Sequence, residues 1–195
     1  MTDKYKLDRS DCMFFVIDVQ KNLAAAMKKD VLSMVEANIN LIINASKILD
    51  VPVLLTEQYR KGLGPTLNSI VSNLGNDFKP VEKLVFSACG EKEFQDSCHA
   101  IKKKCVMVSG IESHVCVLQT SLDLLEQGHI VHVISDATCS RYKNDWKNAM
   151  NYLRNAGAVI STTEIAVFQL MQKAGTAEFK AISPMFKNKE AYWSL

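Results

Sequence analysis

The chain is predicted to be a three-layer α/β/α protein built on a Rossmann-like, mostly parallel sheet of six strands. Three observations carry that prediction. Short, β-rich, nearly continuous apolar runs recur along the chain, as expected of strands covered on both faces. The stretches between them space apolar residues at i, i+3 and i+4, the period of an amphipathic helix. Turn residues punctuate the alternation at Asp50-Val51-Pro52, Gln127-Gly128-His129 and Asn155-Ala156-Gly157.

The elements follow in order. The first strand is MFFVI at 13–17 and ends at Asp18. A helix over 31–49 carries a stripe of Val31, Met34, Val35, Ile42, Ala45 and Leu49, with Asn38 as its one polar exception. The second strand is PVLLT at 52–56, leading into Glu57. Residues 58–80 contain Gly62, Gly64, Pro65, Gly75 and Pro80, and read as a long functional loop with one short helix at 66–74. The third strand is LVF at 84–86, which leaves Lys83 ahead of it. Then come helix 91–103, strand CVMVS at 105–109, helix 114–127 and strand IVHVIS at 130–135 ending at Asp136. Helix 142–156, strand AVIST at 158–162 and helix 163–173 complete the pattern. Trp146, Tyr142 and Tyr152 on helix 142–156 read as core more than as interface.

A chain of 195 residues with 48% hydrophobic content, 8 Gly and 4 Pro fits one soluble domain over 1–195, with 175–195 as a C-terminal tail. A chain this long buries roughly 70% of its unfolded surface, so it needs no disulfide or metal to hold its core. Disordered and collagen-like classes are excluded by composition. The longest apolar run, Cys12 to Ile17, is far short of the ~20 residues of a membrane span, and acidic residues on both sides of it argue against a signal peptide. A net charge of +2 gives no basis for a nucleic-acid or membrane partner, and Lys102-Lys103-Lys104 reads as a solvated helix end. The cysteines Cys12, Cys89, Cys98, Cys105, Cys116 and Cys139 form no CxxC pair and no zinc-like spacing. Reduced thiols and a cytoplasmic location are the expectation.

In an open parallel sheet, ligands sit beyond the carboxyl ends of the strands. That rule singles out Asp18, Thr56-Glu57, Ser109-Gly110 and Asp136, and the GIESHVC segment that follows the fourth strand. Cys116 falls where a strand–turn–helix unit places a thiol near a helix N-terminus, whose dipole and free N–H groups favour a thiolate or an oxyanion. Taken singly, Cys116 fits a buried structural cysteine equally well, Asp18 fits a strand-end cap, and Lys83 fits a surface lysine.

Together these segments resemble the isochorismatase-like cysteine hydrolase family. The resemblance runs through FFVIDVQ with Asp18, VPVLLTEQYRKGLGPT with Glu57 and Gln58, and KLVFSAC with Lys83. It continues through GIESHVCVLQTSLDLLEQG with Cys116, VHVISDATCSR with Asp136 and Arg141, and AGAVISTTEIAVFQL. The TEQYRKGLG and GIESHVCVLQTSLDLL stretches are most similar to the isochorismatase-domain-containing subgroup. The resemblance implies a triad: Cys116 as nucleophile, Asp18 as its base, and Lys83 as the cation that keeps the pair charged. A thiol of ordinary pKa near 8.5 needs both a base and positive charge to become a thiolate at neutral pH, so a depressed thiol pKa is expected. The resemblance further implies a cis peptide at Ile111–Glu112, turning the N–H groups of Glu112 and Cys116 toward one oxyanion site. Gln20, Glu57, Gln58, Tyr59 and Ile111 are the expected pocket residues. The metal site of nicotinamidases in the superfamily has no counterpart, because no histidine precedes His99 and the matching region reads Glu57-Gln58-Tyr59. No cofactor or metal is expected.

The remaining signals have structural readings. His114 lies two residues before Cys116, a spacing that does not face it on a helix, and His129 and His132 read as satisfied structural histidines. The Gly62-Leu63-Gly64 glycines lack the lysine-serine of a phosphate loop. The leading expectation is a metal-free hydrolase of a small amide-like C–N substrate. The alternative is an oligomeric binding protein that kept the fold and little activity. A ribonuclease, a label sometimes attached to relatives, finds no histidine acid/base pair, carboxylate cluster or basic stripe in support. Phe179, Ile182, Met185, Phe186, Tyr192 and Trp193 give the tail an apolar character, so a homodimer or tetramer through the tail or helix 142–156 is expected.

Overall fold

The computed structural model of the chain describes residues 2–75 and 78–187. Six parallel strands form its sheet: β1 (Cys12–Ile17), β2 (Val53–Gln58), β3 (Val81–Lys83), β4 (Cys105–Ile111), β5 (Ile130–Cys139) and β6 (Val159–Ser161). Their order is β3-β2-β1-β4-β5-β6. The chain builds outward from β1 to β3, then returns to lay β4 against the other side of β1. The direction of winding therefore reverses between β1 and β4, where a crevice opens past the strand ends.

Every residue of β1 is buried, which explains its unbroken apolar run: alternate side chains feed two different layers. Phe14 and Val16 face a layer made by α2 (Lys29–Ile48), α8 (Thr163–Met171) and α9 (Ala177–Ile182). Met13, Phe15 and Ile17 face the opposite layer, α5 (Lys92–Ile101), α6 (Leu118–Glu126) and α7 (Lys143–Ala156). Three shorter helices, α1 (Lys21–Ala24), α3 (Arg60–Leu63) and α4 (Asn68–Leu74), lie in the connections on either side of β2. Asn38, the polar exception in the α2 stripe, is buried and donates its Nδ2 to the Asp136 carbonyl at 2.6 Å. A buried amide is tolerated there because it has a partner.

Several expectations need correction. The third strand is Val81–Lys83, and Leu84, Val85 and Phe86 instead turn outward, 73%, 45% and 53% exposed. Their β-forming side chains suggested a strand, but the ladder with β2 ends where Lys83 pairs with Gln58. Asp136 does not end the fifth strand, which continues to Cys139. Its Oδ1 accepts from the Thr163 N–H and hydroxyl at 2.7 and 2.9 Å, fastening β5 to the start of α8. Tyr142 and Tyr152 are 67% and 62% exposed, so only Trp146 of that trio packs against the core. The described part of the tail folds back on its own chain. Ile182 is fully buried, and Phe179 and Phe186 pack edge-on to Phe168 with ring centroids 6.3 and 5.3 Å away. Tyr192 and Trp193 lie outside the described residues.

Candidate active site

At the switch point β1 and β4 come unusually close. Gly110 pairs with Ile17, and a Cβ on Gly110 would sit 2.2 Å from the Ile17 carbonyl oxygen. Its φ of +138° is open only to glycine at low cost. The residue after Ile17 is Asp18, itself at φ +53°, a left-handed conformation that Asp tolerates better than most residues. The turn aims the carboxylate across the strand ends. Its Oδ1 accepts from the Thr56 hydroxyl at 2.7 Å, and its Oδ2 lies 2.6 Å from Lys83 Nζ. Both side chains of that ion pair are fully shielded from solvent. An ion pair this deep persists only when its remaining polar atoms are satisfied. Lys83 meets that condition: Nζ also donates to Gln58 Oε1 at 2.8 Å and to the Phe86 carbonyl at 2.9 Å, with the Val85 carbonyl at 3.4 Å.

Cys116 reaches the same place from β4. Past Ile111 the chain turns through Glu112, at φ +58°, into a single π-helical turn (Ser113–Val117) that runs into α6. Single π turns favour functional sites because they re-aim side chains out of the α-helical register. The Cys116 side chain is buried against the Asp18 carboxylate and the Lys83 ammonium, close enough to interact with both. Burial pushes its thiol up to about 12, the Asp18 charge adds to that, and Lys83 opposes it. The direction runs opposite to the depressed thiol expected of a nucleophile: in this site desolvation and Asp18 outweigh the lysine.

Two further expectations are corrected. None of the described peptide bonds is cis, so the argument that placed the Glu112 N–H in an oxyanion site falls. The Glu112 carboxylate accepts from Arg141 Nε at 2.5 Å and lies 3.3 Å from His114 Nδ1. Lys83 ends its strand rather than preceding it, so the rule of the strand carboxyl ends selects it after all.

The expected pocket residues separate. Ile111 is wholly buried in the apolar layer under α2. Glu57 fastens the loop after β2: its Oε1 accepts from the Thr66 N–H and hydroxyl, both at 2.7 Å, and its Oε2 pairs with Arg60 at 2.5 Å. Gln20 holds Gln58, accepting from its N–H at 2.7 Å and donating to its carbonyl at 3.0 Å. Tyr59 alone of the five lines an open cavity of about 320 Å³, together with Arg60, Lys61, Glu82, Lys83, Leu84 and Glu91. His114, His129 and His132 are structurally engaged. His132 Nε2 bonds the Lys4 carbonyl at 2.8 Å, His129 Nδ1 bonds that of Lys104 at 3.2 Å, and His114 Nδ1 meets the Ser140 hydroxyl at 3.0 Å. Among the described residues no three His, Cys, Asp or Glu side chains are placed to share a metal ion. No helix among them is long and apolar enough to cross a membrane.

The isochorismatase domain model matches residues 12–165, a span that contains every residue of this site. The secreted isochorismatase effector Isc1 of Phytophthora sojae is 40% identical over 178 residues, covering 90% of this chain and 84% of its own. The MAR1 ribonuclease structure from Caenorhabditis elegans superposes with a TM-score of 0.89 at 32% identity, covering 97% of this chain and 96% of that one. The YcaC product of Escherichia coli, described as an octameric hydrolase of unknown specificity, has a TM-score of 0.86 at 21% identity over 94% of this chain and 90% of its own, a likeness of fold.

Proposed function

The chain belongs to the isochorismatase family, and from that premise we propose that it is a metal-independent cysteine hydrolase of a small amide-like substrate, with Cys116, Asp18 and Lys83 as its triad. The observation that carries the reading is the fully buried Asp18–Lys83 ion pair at 2.6 Å with the Cys116 side chain against it, at the switch point of the sheet. Burying two charges has no packing advantage over apolar residues, so their retention beside a thiol points to chemistry.

Burial and the Asp18 charge both favour the neutral thiol, so proton loss accompanies attack. The Cys116 Sγ–H proton passes to the Asp18 carboxylate as sulfur bonds to the substrate carbonyl carbon, and the carbonyl electrons move to oxygen. The Cys116 N–H, near the end of the π turn that runs into α6, donates to that oxyanion. Collapse expels the amine, which takes the proton from Asp18, and leaves a thioester on Cys116. Water, deprotonated by Asp18, then cleaves the thioester, releases the acid and restores the thiol. Lys83 stays beside Asp18 throughout, 2.6 Å from its Oδ2 in the resting site.

The test is intact-mass analysis during turnover of a panel of small primary amides. An acyl adduct on Cys116 that disappears with product formation, and is absent from Cys116→Ala, is the expected result. Modification by an alkylating reagent with no turnover of any amide would favour the binding-protein alternative. The C. elegans relative's description as a ribonuclease supplies a further comparison. RNA cleavage that survives Cys116→Ala would replace the triad reading outright. We also propose a reducing, cytoplasmic location, supported by six cysteines that are all free thiols. Self-association is proposed as well, supported by the octameric description of the E. coli structural neighbour and by the exposed Tyr142, just before α7, and Tyr152 within it.

A further inference from the structure

Gln58 was expected among the walls of the substrate pocket, but its amide is committed elsewhere at both ends. β2 and β3 are paired so that Gln58 and Lys83 are direct neighbours across the ladder, with both side chains on one face. Gln58 Oε1 accepts from Lys83 Nζ at 2.8 Å, and Gln58 Nε2 donates to the Leu84 carbonyl at 2.8 Å. That pairing fixes which way the amide points, since the flipped form would set NH₂ against ammonium and oxygen against oxygen. The Gln58 backbone is held as firmly. Gln20 binds both its N–H and its carbonyl, and the next residue, Tyr59, donates its N–H to the Lys83 carbonyl at 2.9 Å.

An ammonium has three protons to donate. In Lys83 they reach Gln58 Oε1 and the Phe86 and Val85 carbonyls, with Asp18 Oδ2 as the ion-pair partner 2.6 Å away. The Gln58 oxygen is the only one of those acceptors supplied by a neutral side chain, and the same amide fastens the residue that starts the turn toward Phe86. We propose that Gln58 is a positioning residue of the triad: it fixes the Lys83 ammonium against Asp18 and Cys116 and holds the 84–86 turn whose carbonyls complete the lysine's shell. The inference rests on the triad reading above. Without Gln58 the ammonium has a free donor and a four-carbon stem with room to move, and its opposition to the thiol's raised pKa weakens.

The experiment follows alkylation of Cys116 by iodoacetamide from about pH 7 to 9, resolved by peptide mass spectrometry because Cys98 is the more accessible thiol. The proteins are the unaltered full chain, Gln58→Leu, Gln58→Asn and Lys83→Met. Gln58→Leu keeps the side chain's bulk and loses both polar ends. Its rate profile is expected about one pH unit to the alkaline side of the unaltered chain's, a roughly tenfold slower rate at each pH of the range. Gln58→Asn keeps a neutral amide on a shorter stem, and its profile is expected between those of Gln58→Leu and the unaltered chain. If Gln58→Leu fails to fold, Gln58→Asn decides alone: a displaced profile supports the role of Gln58 and an unchanged one overturns it. A profile unchanged in Gln58→Leu while Lys83→Met moves it would overturn the role of Gln58 and leave the triad standing. A profile indifferent to Lys83→Met would remove the triad reading itself, and this inference with it.

Discussion

Asp18 serves two opposed ends. It is the proton acceptor the proposed reaction needs, yet its charge also holds the proton on the sulfur, pushing the Cys116 thiol up alongside desolvation. The two effects separate in Asp18→Asn. Removing the charge lets the thiol become more acidic, so alkylation at pH 8 is expected to speed up relative to the unaltered chain. Turnover is expected to fall ~10³-fold or more, because no base remains to take the proton. Lys83→Met moves both readings down, since the lysine is the one group that opposes the raised pKa. Slower alkylation in Asp18→Asn, measured beside turnover in the same preparation, would contradict this assignment of signs. Gln58 belongs to the same scale: one amide decides where the cation stands.

At the scale of elements, the close passage of β4 beside β1 places the site. Gly110→Ala drives a Cβ against the Ile17 carbonyl at an unfavourable φ, immediately before Asp18. A loss of about 3 kcal/mol or more is expected, which lowers Tm by roughly 6–12 °C for a chain of this size. A thermal midpoint within a degree of the unaltered protein would show that the strands yield at no cost. The strands and helices were largely legible from the sequence, because β1, β4 and α2 carry periodicities that burial on two faces or one face imposes. The third strand was not. Leu84-Val85-Phe86 has the composition of a strand, and what ends the ladder at Lys83 is a requirement for carbonyls around an ammonium, which no local pattern records. Asp18 and Cys116 could be found from the rule of strand ends, whereas Lys83 came only from resemblance, because the strand was placed one step late. The partners of Glu57, Gln20 and Gln58 lie across turns and ladders, so their structural roles were invisible to spacing, and all three read as pocket residues. Glu112 was misread for another reason: its place in an oxyanion site rested on a cis bond taken from the resemblance, and the peptide is trans.

Over the whole molecule, the buried thiols set an alkaline limit. Burial pushes Cys89, Cys98, Cys116 and Cys139 each up to about 12, and the Cys12 side chain together with burial raises Cys105 as well. Unfolded thiols release their protons near pH 8.5, so above that pH the unfolded chain binds fewer protons than the folded one. The contribution is present in full below about pH 8.5 and declines as pH rises toward 12. Tm measured in steps from pH 8 to 10 is expected to fall, and to fall less steeply when Cys89, Cys98 and Cys139 are all alanine. Equal slopes in the two proteins would assign the alkaline loss to other groups.

Assembly is the last question of that scale, and the structure moves the argument for it. The tail was the first candidate contact, but Ile182, Phe179 and Phe186 already lie against α2 and α8, so the described tail leaves little apolar surface to offer a partner. Among the large apolar side chains that stay exposed are Ile165 and Phe168 on α8, Leu84, Val85 and Phe86 past β3, and Tyr142 and Tyr152 around α7. Three consecutive exposed apolar side chains beside the turn that holds Lys83 are a cost to a monomer in water and a gain to a symmetric pair. The expected outcome in multi-angle light scattering at micromolar concentration is a mass at least twice 21.8 kDa. Phe86→Asp and Tyr152→Asp, made separately, assign the contact: the substitution on the interface side lowers the mass toward that of one chain, and the other leaves it unchanged. A mass of 21.8 kDa across a dilution series of the unaltered protein would refute self-association and leave both patches as surfaces the monomer tolerates.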